Sequence, residues 1–215
     1  MRAAKWKDVW RRLSGRGAYP HELAPLLLFP LRRIVLSPDK LIPSLHLVPT
    51  ASVLEVGPGP GFFSTHVAKA IPEGRLELVD LQWEMLQKAR RRLQKCGVPN
   101  AGYTQATAVR LPFQSQTFDV AFLVAVLGEV PDPAASMSSI ASVLRAEGLL
   151  VVAELPGDPD ALTEEQLRGF AQGTDLEFVK SERVSRSVIT SFRRRPKGSE
   201  RSQKSRTVRK RSRRS

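Results

Sequence analysis

A glycine-rich turn between an apolar run and a helical pattern constrains this chain more than any other feature. Residues 53–56 are mostly apolar, and the turn that follows has glycines at alternate positions, Gly57, Gly59 and Gly61. Asp80 ends a second apolar run, 19 residues after Gly61. A strand, a glycine turn, a helix start and an acid at the tip of the next strand form a nucleotide site in doubly wound α/β sheets. The sequence therefore predicts such a sheet with a nucleoside ligand.

The spacing of the glycines indicates which kind of nucleotide is bound. A dinucleotide site needs G-x-G-x-x-G, with the pyrophosphate on the helix N-terminus. This turn reads G-x-G-x-G, and Phe62 stands where the last glycine of the dinucleotide pattern would be. Pro58 and Pro60 also remove two backbone N–H donors from the turn. We therefore expect a ligand that lies against the glycines and carries no phosphate.

Five segments, in order along the chain, resemble motifs of the class I S-adenosylmethionine-dependent methyltransferases, in particular the quinone-biosynthetic and type 11 groups. The segments are 55–61, Asp80, 106–113, 118–131 and 143–152. Residues 55–61 look like the first family motif, E/D-x-G-x-G-x-G, and residues 106–113 are similar to the segment often written G-D-A-x-x-L-P-F. The resemblance extends from about 52 to about 194, roughly two thirds of the chain.

The resemblance implies both a fold and a cofactor. The family has an α/β fold with a Rossmann-like, doubly wound sheet of seven strands in the order 3-2-1-4-5-7-6. That sheet is mostly parallel, has one antiparallel strand and carries helices on both faces. The family binds S-adenosyl-L-methionine, and its enzymes chiefly position the donor and the acceptor for one in-line displacement. We therefore expect this chain to be a methyltransferase.

The resemblance also implies the residues that hold the cofactor. Glu55 would hold the methionine ammonium, and Asp80 would accept hydrogen bonds from both ribose hydroxyls. The glycines would let the ligand approach the backbone, while Leu81 and Ala108 would line the adenine. The predicted cofactor-binding set is Glu55, Gly57, Pro58, Gly59, Gly61, Asp80, Leu81, Thr107, Ala108 and Val124.

Two departures from the family pattern affect the site. Thr107 stands where many members have an aspartate, so only a hydroxyl is available for the adenine amino group. Leu127-Gly128-Glu129 replaces a segment that often ends in histidine. Methyl transfer needs no acid–base residue of its own, so the catalytic residues are left unassigned, with Glu129 and His21 as candidates. No group of residues has metal-ligand spacing, and we expect no metal.

Hydrophobic periodicity predicts alternating strands and helices after a short N-terminal helical region. The predicted strands are 52–56, 75–80, 101–105, 118–124, 149–154, 176–183 and 187–193. The predicted helices are 4–13, 39–47, 61–71, 82–96, 133–145 and 163–172, the last beginning with a capping box at Thr163. The hairpin formed by the last two strands supplies the antiparallel strand of the family's sheet.

Charge divides the chain into regions of different character. Residues 193–215 hold 12 of the 34 basic residues and one of the 21 acidic residues, so they carry +11 of the net charge of +13. We expect an N-terminal helical lid at 1–50, a methyltransferase domain at 51–194 and a disordered basic tail at 195–215. The most apolar stretch, 23–36, is interrupted by Pro25, Pro30 and two arginines, so no transmembrane segment is expected.

Three functions remain open from the sequence. The first is methyl transfer to a small-molecule or lipid-like acceptor, with a quinone precursor as one example. The second is methylation of RNA or of a ribosome-associated protein, with the 195–215 tail making nonspecific phosphate contacts. The third is cofactor binding without catalysis. We expect a cytoplasmic protein, although residues 208–214 would serve as a nuclear import patch in a eukaryote, and peripheral membrane contact is compatible with the sequence.

Overall fold

The computed structural model of the protein describes residues 36–196. The predicted helix at 4–13, the candidate His21, most of the predicted lid and residues 197–215 of the predicted tail lie outside this range. Among the described residues, no helix is long and apolar enough to cross a bilayer.

One seven-stranded sheet organises the described part of the chain, in the order β3-β2-β1-β4-β5-β7-β6. Its strands are β1 Ser52–Val56, β2 Arg75–Asp80, β3 Ala101–Gln105, β4 Phe118–Val124, β5 Leu144–Glu154, β6 Leu176–Val184 and β7 Ser187–Arg194. The first five strands are parallel, and β7 is antiparallel to both of its neighbours. The predicted fold class, strand order and single antiparallel strand are confirmed.

Both faces of the sheet are buried. Successive apolar residues of each central strand point to opposite faces, so each face presents apolar side chains. Val53 of β1 and Phe122 of β4 lie in one hydrophobic cluster. Their chain neighbours Leu54 and Leu123 lie in a second cluster on the other face. This alternation explains why the central strands are continuous apolar runs and why helices are needed on both sides.

Within residues 36–196, five α-helices cover the sheet. They are α1 Pro38–Leu45, α2 Ser64–Ala70, α3 Trp83–Lys95, α4 Pro133–Val143 and α5 Glu164–Ala171. The prediction that α2 begins at residue 61 is wrong by three residues. The glycines of the preceding turn have positive φ, up to 78° at Gly61, and residues in that region do not form right-handed helix.

The start of β5 also differs from the prediction. The strand begins at Leu144 rather than at 149, because Leu144 pairs with Phe118 before the register shifts. Glu147 has a φ of 64°, which accommodates the irregularity between the two paired stretches. The Arg194 guanidinium donates to the Leu144 carbonyl and so ties this early part of β5 to the end of β7.

A buried carboxylate joins β2 to β3. Arg75 Nη2 donates to Glu77 Oε2 at 2.7 Å, and Thr104 Oγ1 donates to Glu77 Oε1 at 2.7 Å. A Cβ on Gly102 would lie 2.1 Å from Glu77 Oε2, so this glycine leaves room for the carboxylate. These contacts occupy both Glu77 oxygens and give that side chain a structural role.

Replacing Thr163 with alanine is expected to lower the free energy of unfolding by about 1 kcal/mol, because both bonds of the predicted capping box are present. Gln166 N donates to Thr163 Oγ1 at 3.2 Å, and Thr163 N donates to Gln166 Oε1 at 2.9 Å. Urea unfolding measures the change. Ser142→Ala, at an exposed hydroxyl inside α4, is the control and should stay within about 0.5 kcal/mol of the wild type. Equal stability of all three proteins would contradict this account.

Candidate functional site

A cavity of about 460 Å³ lies beyond the carboxyl ends of the central parallel strands. Its walls come from the segments that follow β1, β2, β3, β4 and β5. This is the place where open α/β sheets bind ligands, because the connections on either side of β1 and β4 leave the sheet towards opposite faces.

The glycine turn after β1 forms the floor of the cavity. Gly57 and Gly59 have φ angles of 69° and 54°, which glycine adopts without steric cost. The Gly57 N–H donates to the Val79 carbonyl at 2.8 Å, which holds the turn against β2. A Cβ on Gly57 would lie 2.5 Å from Val126 Cγ2, so the absence of a side chain at this position also lets the segment after β4 approach.

Gly61 has a different role from the other two glycines of the turn. It does not line the cavity. A Cβ at this position would lie 3.1 Å from the Ala89 Cα, so Gly61 allows the turn to pack closely against α3. Its predicted contact with the cofactor stays a prediction.

Asp80 ends β2 and closes the site beside the glycine turn. Gly59 N donates to its Oδ2 at 3.3 Å, and Gln82 N donates to its Oδ1 at 2.9 Å. Burial raises the pKa of Asp80 to about 6, although backbone hydrogen bonds from Gln82, Gly59 and Leu81 act in the opposite direction. The side chain is therefore a carboxylate above that pH, with a position that two backbone donors determine.

Glu55 lies deeper in the cavity than Asp80. It is the next-to-last residue of β1, pairs with Leu78 and Phe122 of the neighbouring strands, and is 3% exposed. Because the side chain also lines the cavity, a buried carboxylate faces the space between the glycine turn and β4. Such a group suits a cationic atom of a ligand.

The segment after β3 forms the wall near Asp80. Ala106 N donates to the Asp80 carbonyl at 3.1 Å, which brings Thr107 and Ala108 to the cavity. Leu81 lines the same wall and is 60% exposed, while Gln105 Nε2 donates to its carbonyl at 3.0 Å. An exposed leucine beside a cavity, with its backbone fixed by a hydrogen bond, is suited to packing against a flat apolar ligand group.

The rest of the cavity lining was largely missed by the sequence reasoning. It includes Phe62 and Phe63, whose ring centroids are 4.9 Å apart in an edge-to-face arrangement. It also includes Val126 and the run 155–160 after β5. The signal for 155–160 was its composition, since two prolines, a glycine and two aspartates directly follow a buried strand and mark a loop at the ligand-binding edge.

The structure brings the predicted cofactor set together at one cavity, with Gly61 as the exception. The lining members are Glu55, Gly57, Pro58, Gly59, Asp80, Leu81, Thr107, Ala108 and Val124. The candidate Glu129 also lines the cavity, at the end of the short 3₁₀ turn Leu127–Glu129, whereas His21 lies outside the described residues. The binding and catalytic roles of these residues stay predictions.

The charged groups of the cavity are all of one sign. Among the described residues that line it, five are acidic and none is lysine, arginine or histidine. The five are Glu55, Asp80, Glu129, Asp158 and Asp160. Residues 36–196 contain no group of three or more side chains that could hold a metal ion. The cavity therefore suits neutral or cationic ligand groups better than phosphates.

Comparison with known proteins relates the chain to methyltransferases. Residues 53–148 match the family model described as a methyltransferase domain. The ubiquinone/menaquinone biosynthesis C-methyltransferase UbiE of Haemophilus ducreyi is 36% identical over 104 residues, which cover 47% of this chain and 40% of that protein. An uncharacterized methyltransferase of Schizosaccharomyces pombe is 30% identical over 111 residues, covering 49% and 40% of the two chains. The chain thus spans less than half the length of these relatives.

Solved structures share the fold over a larger part of the chain. A SAM-dependent methyltransferase from Aquifex aeolicus has a TM-score of 0.77 at 18% identity and covers 82% of this chain and 99% of its own. A methyltransferase-like protein from Bacillus halodurans has a TM-score of 0.67 at 16% identity and covers 74% and 99%. At these identities the likeness concerns the fold alone.

Proposed function

We propose that residues 53–148 are a class I S-adenosylmethionine-dependent methyltransferase domain. On this basis, we propose that the chain transfers the methyl group of S-adenosylmethionine to a small, largely apolar acceptor. The observation that carries the proposal is the hydrogen bond of 3.3 Å from Gly59 N of the glycine turn to the Asp80 carboxylate, because both residues line one cavity. A nucleoside without phosphates fits this pair, because the carboxylate accepts ribose hydroxyls and the turn offers close approach.

The residues present fit this cofactor at each of its parts. Asp80 would hold the ribose, Leu81 and Ala108 would pack on the adenine, and Glu55 would face the methionine ammonium. The absence of lysine and arginine from the described lining residues agrees with a cofactor that has no phosphate. The turn after β1 also lacks N–H groups at Pro58 and Pro60, as expected where no phosphate is bound.

The reaction needs positioning more than acid–base chemistry. The bound cofactor supplies an electrophilic methyl group on its sulfonium. The protein's own residues would hold the donor against β1 and β2, orient the acceptor on the opposite wall and exclude water from the space between them. Val124, Val126 and Phe63 supply apolar surface along that space. Glu129 is the candidate to take a proton from an acceptor hydroxyl.

The lining of the cavity supports a small molecule over RNA as the acceptor. Phe62, Val126 and Leu155 present apolar surface, whereas the described lining offers no cation to neutralise a phosphate. The matched relative from Haemophilus ducreyi is named for ubiquinone and menaquinone biosynthesis. A quinone-like ring is therefore the acceptor class that we propose to test first.

The basic tail would act at a distance from the cavity. Arg193 pairs with Leu149 near the amino end of the parallel part of β5, whereas Val188 pairs with Glu154 at the carboxyl end. Five residue steps separate these pairs, so Arg193, two residues before the tail, lies about 17 Å from the cavity edge of the sheet. We propose that residues 195–215 form a nonspecific anchor for anionic partners and that residues 1–50 form the lid.

The experiment that tests the proposed function is transfer of label from methyl-labelled S-adenosylmethionine into a fractionated lysate. Label is expected in the small-molecule or lipid fraction, and Asp80→Asn should lose most of it. A chain ending at Pro196 should keep this activity. Label in RNA or protein that disappears with the tail would favour the second candidate, and cofactor binding without label in any fraction would favour a non-catalytic role.

A further inference from the structure

Helix α3 concentrates positive charge at one side of the fold. The helix holds five basic residues and one acidic residue, a net charge of +4. Residues 36–196 as a whole hold 17 basic and 18 acidic residues, a net charge of −1, so the described chain without α3 has a net charge of −5. The cations of α3 are therefore a local feature of this helix and do not reflect the composition of the domain.

The packing of α3 turns part of this charge towards solvent. The helix lies on β2 and β3. Its buried residues are Met85, Leu86, Ala89 and Leu93. With about 3.6 residues per turn, Arg90 and Arg91 come two turns after Trp83 and share its side of the helix, and Lys95 follows one turn later. Trp83 is 41% exposed, and the three cations, here called the basic face, are exposed as well.

The basic face has no carboxylate partner within residues 36–196. Arg145 and Arg168 each have a carboxylate within 4.0 Å elsewhere in the described fold, whereas no ion pair there includes a residue of the basic face. The Arg90 guanidinium lies 6.0 Å from the ring centroid of Tyr103 on β3, the strand at the edge of the sheet. The positive charge of this face is thus not neutralised by the described chain.

The helix begins beside the cavity. Leu81 and Gln82, which directly precede Trp83, both line it, and Leu81 is exposed like Trp83. Three of the five acidic lining residues instead follow β4 and β5, which lie two and three strands from β2 in the sheet. At the spacing of neighbouring strands this distance is about 10 to 14 Å. The α3 side of the cavity edge therefore differs in charge from the β4–β5 side.

We propose that the basic face and Trp83 form a docking surface for an anionic lipid bilayer. Headgroup phosphates supply the negative charge that the described chain does not provide at this face. An indole has an apolar ring and one N–H donor, which suits the headgroup level of a bilayer, and cations beside it strengthen such binding. The consequence for the acceptor rests on the proposed function, since a lipid-soluble acceptor could reach the cavity from the bilayer beside it.

The charge of the cavity favours a bilayer over RNA as the partner of this surface. RNA docked on the basic face would have to bring its target base and phosphates to a cavity whose charged lining residues, among those described, are all acidic. A neutral, lipid-soluble acceptor does not meet this repulsion. The cations lie along α3, outside the cavity, where they attract a surface without contacting the acceptor.

Fluorescence quenching of Trp83 tests the docking without requiring turnover. The chain has three tryptophans, so Trp6→Phe/Trp10→Phe in the full chain leaves Trp83 as the only one. Vesicles of phosphatidylglycerol with brominated acyl chains should quench most of its fluorescence, and brominated phosphatidylcholine vesicles should not. Vesicles that bind the protein without quenching Trp83 would assign lipid binding to another segment, such as the basic tail, and would overturn the proposal. Absence of vesicle binding would overturn it as well.

Substitutions within the basic face measure its share of the binding. Arg91→Gln/Lys95→Gln should weaken the affinity for phosphatidylglycerol vesicles, measured by sedimentation, by roughly 30-fold, since each cation near an anionic bilayer contributes about fivefold. Arg183→Gln/Arg186→Gln is the matched control. It removes the same charge from exposed residues near the turn between β6 and β7 and should stay within about threefold of the wild type. An equal loss in both variants would overturn the proposal, because only the net charge would then matter.

Titrations with cofactor and with RNA separate the remaining outcomes. Arg91→Gln/Lys95→Gln should bind S-adenosylmethionine within about twofold of the wild type, since neither residue lines the cavity. Quenching of Trp83 by vesicles in a protein that binds no cofactor would refute the proposed function alone. Binding of a single-stranded RNA that depends on Arg91 and Lys95, without binding of vesicles, would assign the surface to RNA and overturn the proposal.

Discussion

Asp80→Asn is expected to weaken S-adenosylmethionine binding by about 10- to 150-fold, because it removes a charge-assisted hydrogen bond of about 1.5–3 kcal/mol to the ribose. The carboxylate has two oxygens for two hydroxyls, whereas an amide offers one oxygen and one donor group. Isothermal titration calorimetry measures the change directly. Glu84→Gln is the matched control, since Glu84 is exposed in the first turn of α3 and does not line the cavity.

The wild-type affinity should also depend on pH in a defined direction. The pKa of Asp80 is about 6 in the free protein, so the carboxylate that the ribose needs is lost as pH falls through this value. We expect the affinity to be level from pH 7 to 8 and to fall by up to about tenfold for each pH unit below 6. Asp80→Asn should show no such fall. Equal affinities and equal profiles in the two proteins would refute the role of Asp80.

Without cofactor, Asp80→Asn should gain stability relative to the wild type as pH rises, although the same substitution weakens cofactor binding. Because the pKa of Asp80 is raised above its ordinary value of 3.8, the folded protein holds the proton more tightly than the unfolded chain, and stability is lost as pH rises from 3.8 to 6. Asparagine does not incur this loss. In the absence of cofactor, the Tm of Asp80→Asn relative to the wild type is therefore expected to increase from pH 4 to pH 7.

Gly57→Ala is expected to lower the free energy of unfolding by about 2–5 kcal/mol and to abolish measurable cofactor binding. One part of the loss is the positive φ of 69°, which costs a residue with a side chain about 1–2 kcal/mol. The other part is overlap, since the added Cβ would lie 2.5 Å from Val126 Cγ2, and overpacking of this kind costs about 1–3 kcal/mol. Urea unfolding and calorimetry measure the two effects.

Two further variants separate the causes of this loss. Gly97→Ala has a similar φ of 66° and no atom within 4 Å of the added Cβ, so it should show the backbone cost alone. Val126→Ala in the Gly57→Ala background removes the methyl groups that the new Cβ meets and should restore the overlap part. If the double variant is no more stable than Gly57→Ala, close approach of the segment after β4 does not explain the glycine.

The strands were the most predictable part of the fold. Six of the seven strands match the predicted bounds within one residue, because apolar runs in a two-sided sheet have few other placements. One helix start was not predictable, although the other four described starts lie within one residue of the prediction. The region before α2 contains residues that favour a helix, but the positive φ of Gly61 delays its start, and nothing local in the sequence reveals that angle. The early start of β5 likewise depends on pairing with Phe118 across the sheet.

The candidate site also has one part that could be predicted from the sequence and one part that could not. The floor near Asp80 could be predicted because the glycine turn and the acid occur at a spacing that the βαβ unit dictates. The places of residues 155–160, Phe62 and Phe63 at the cavity could not be predicted, since they depend on how β4 and β5 lie beside β1. The close approach of Gly61 to Ala89 of α3 could likewise be seen only in the assembled fold.

By itself, the sequence determined the order of strands and helices, the residue types at the glycine turn and the separation of the basic tail from a nearly neutral domain. These follow from local periodicity, backbone preferences and charge counting, which need no partner elsewhere in the chain. Only the tertiary structure decided the pKa of Asp80, the need for glycine at position 57 and the further residues that line the cavity. Each of these depends on burial or on contact between segments far apart in sequence, and burial is a property of the assembled fold.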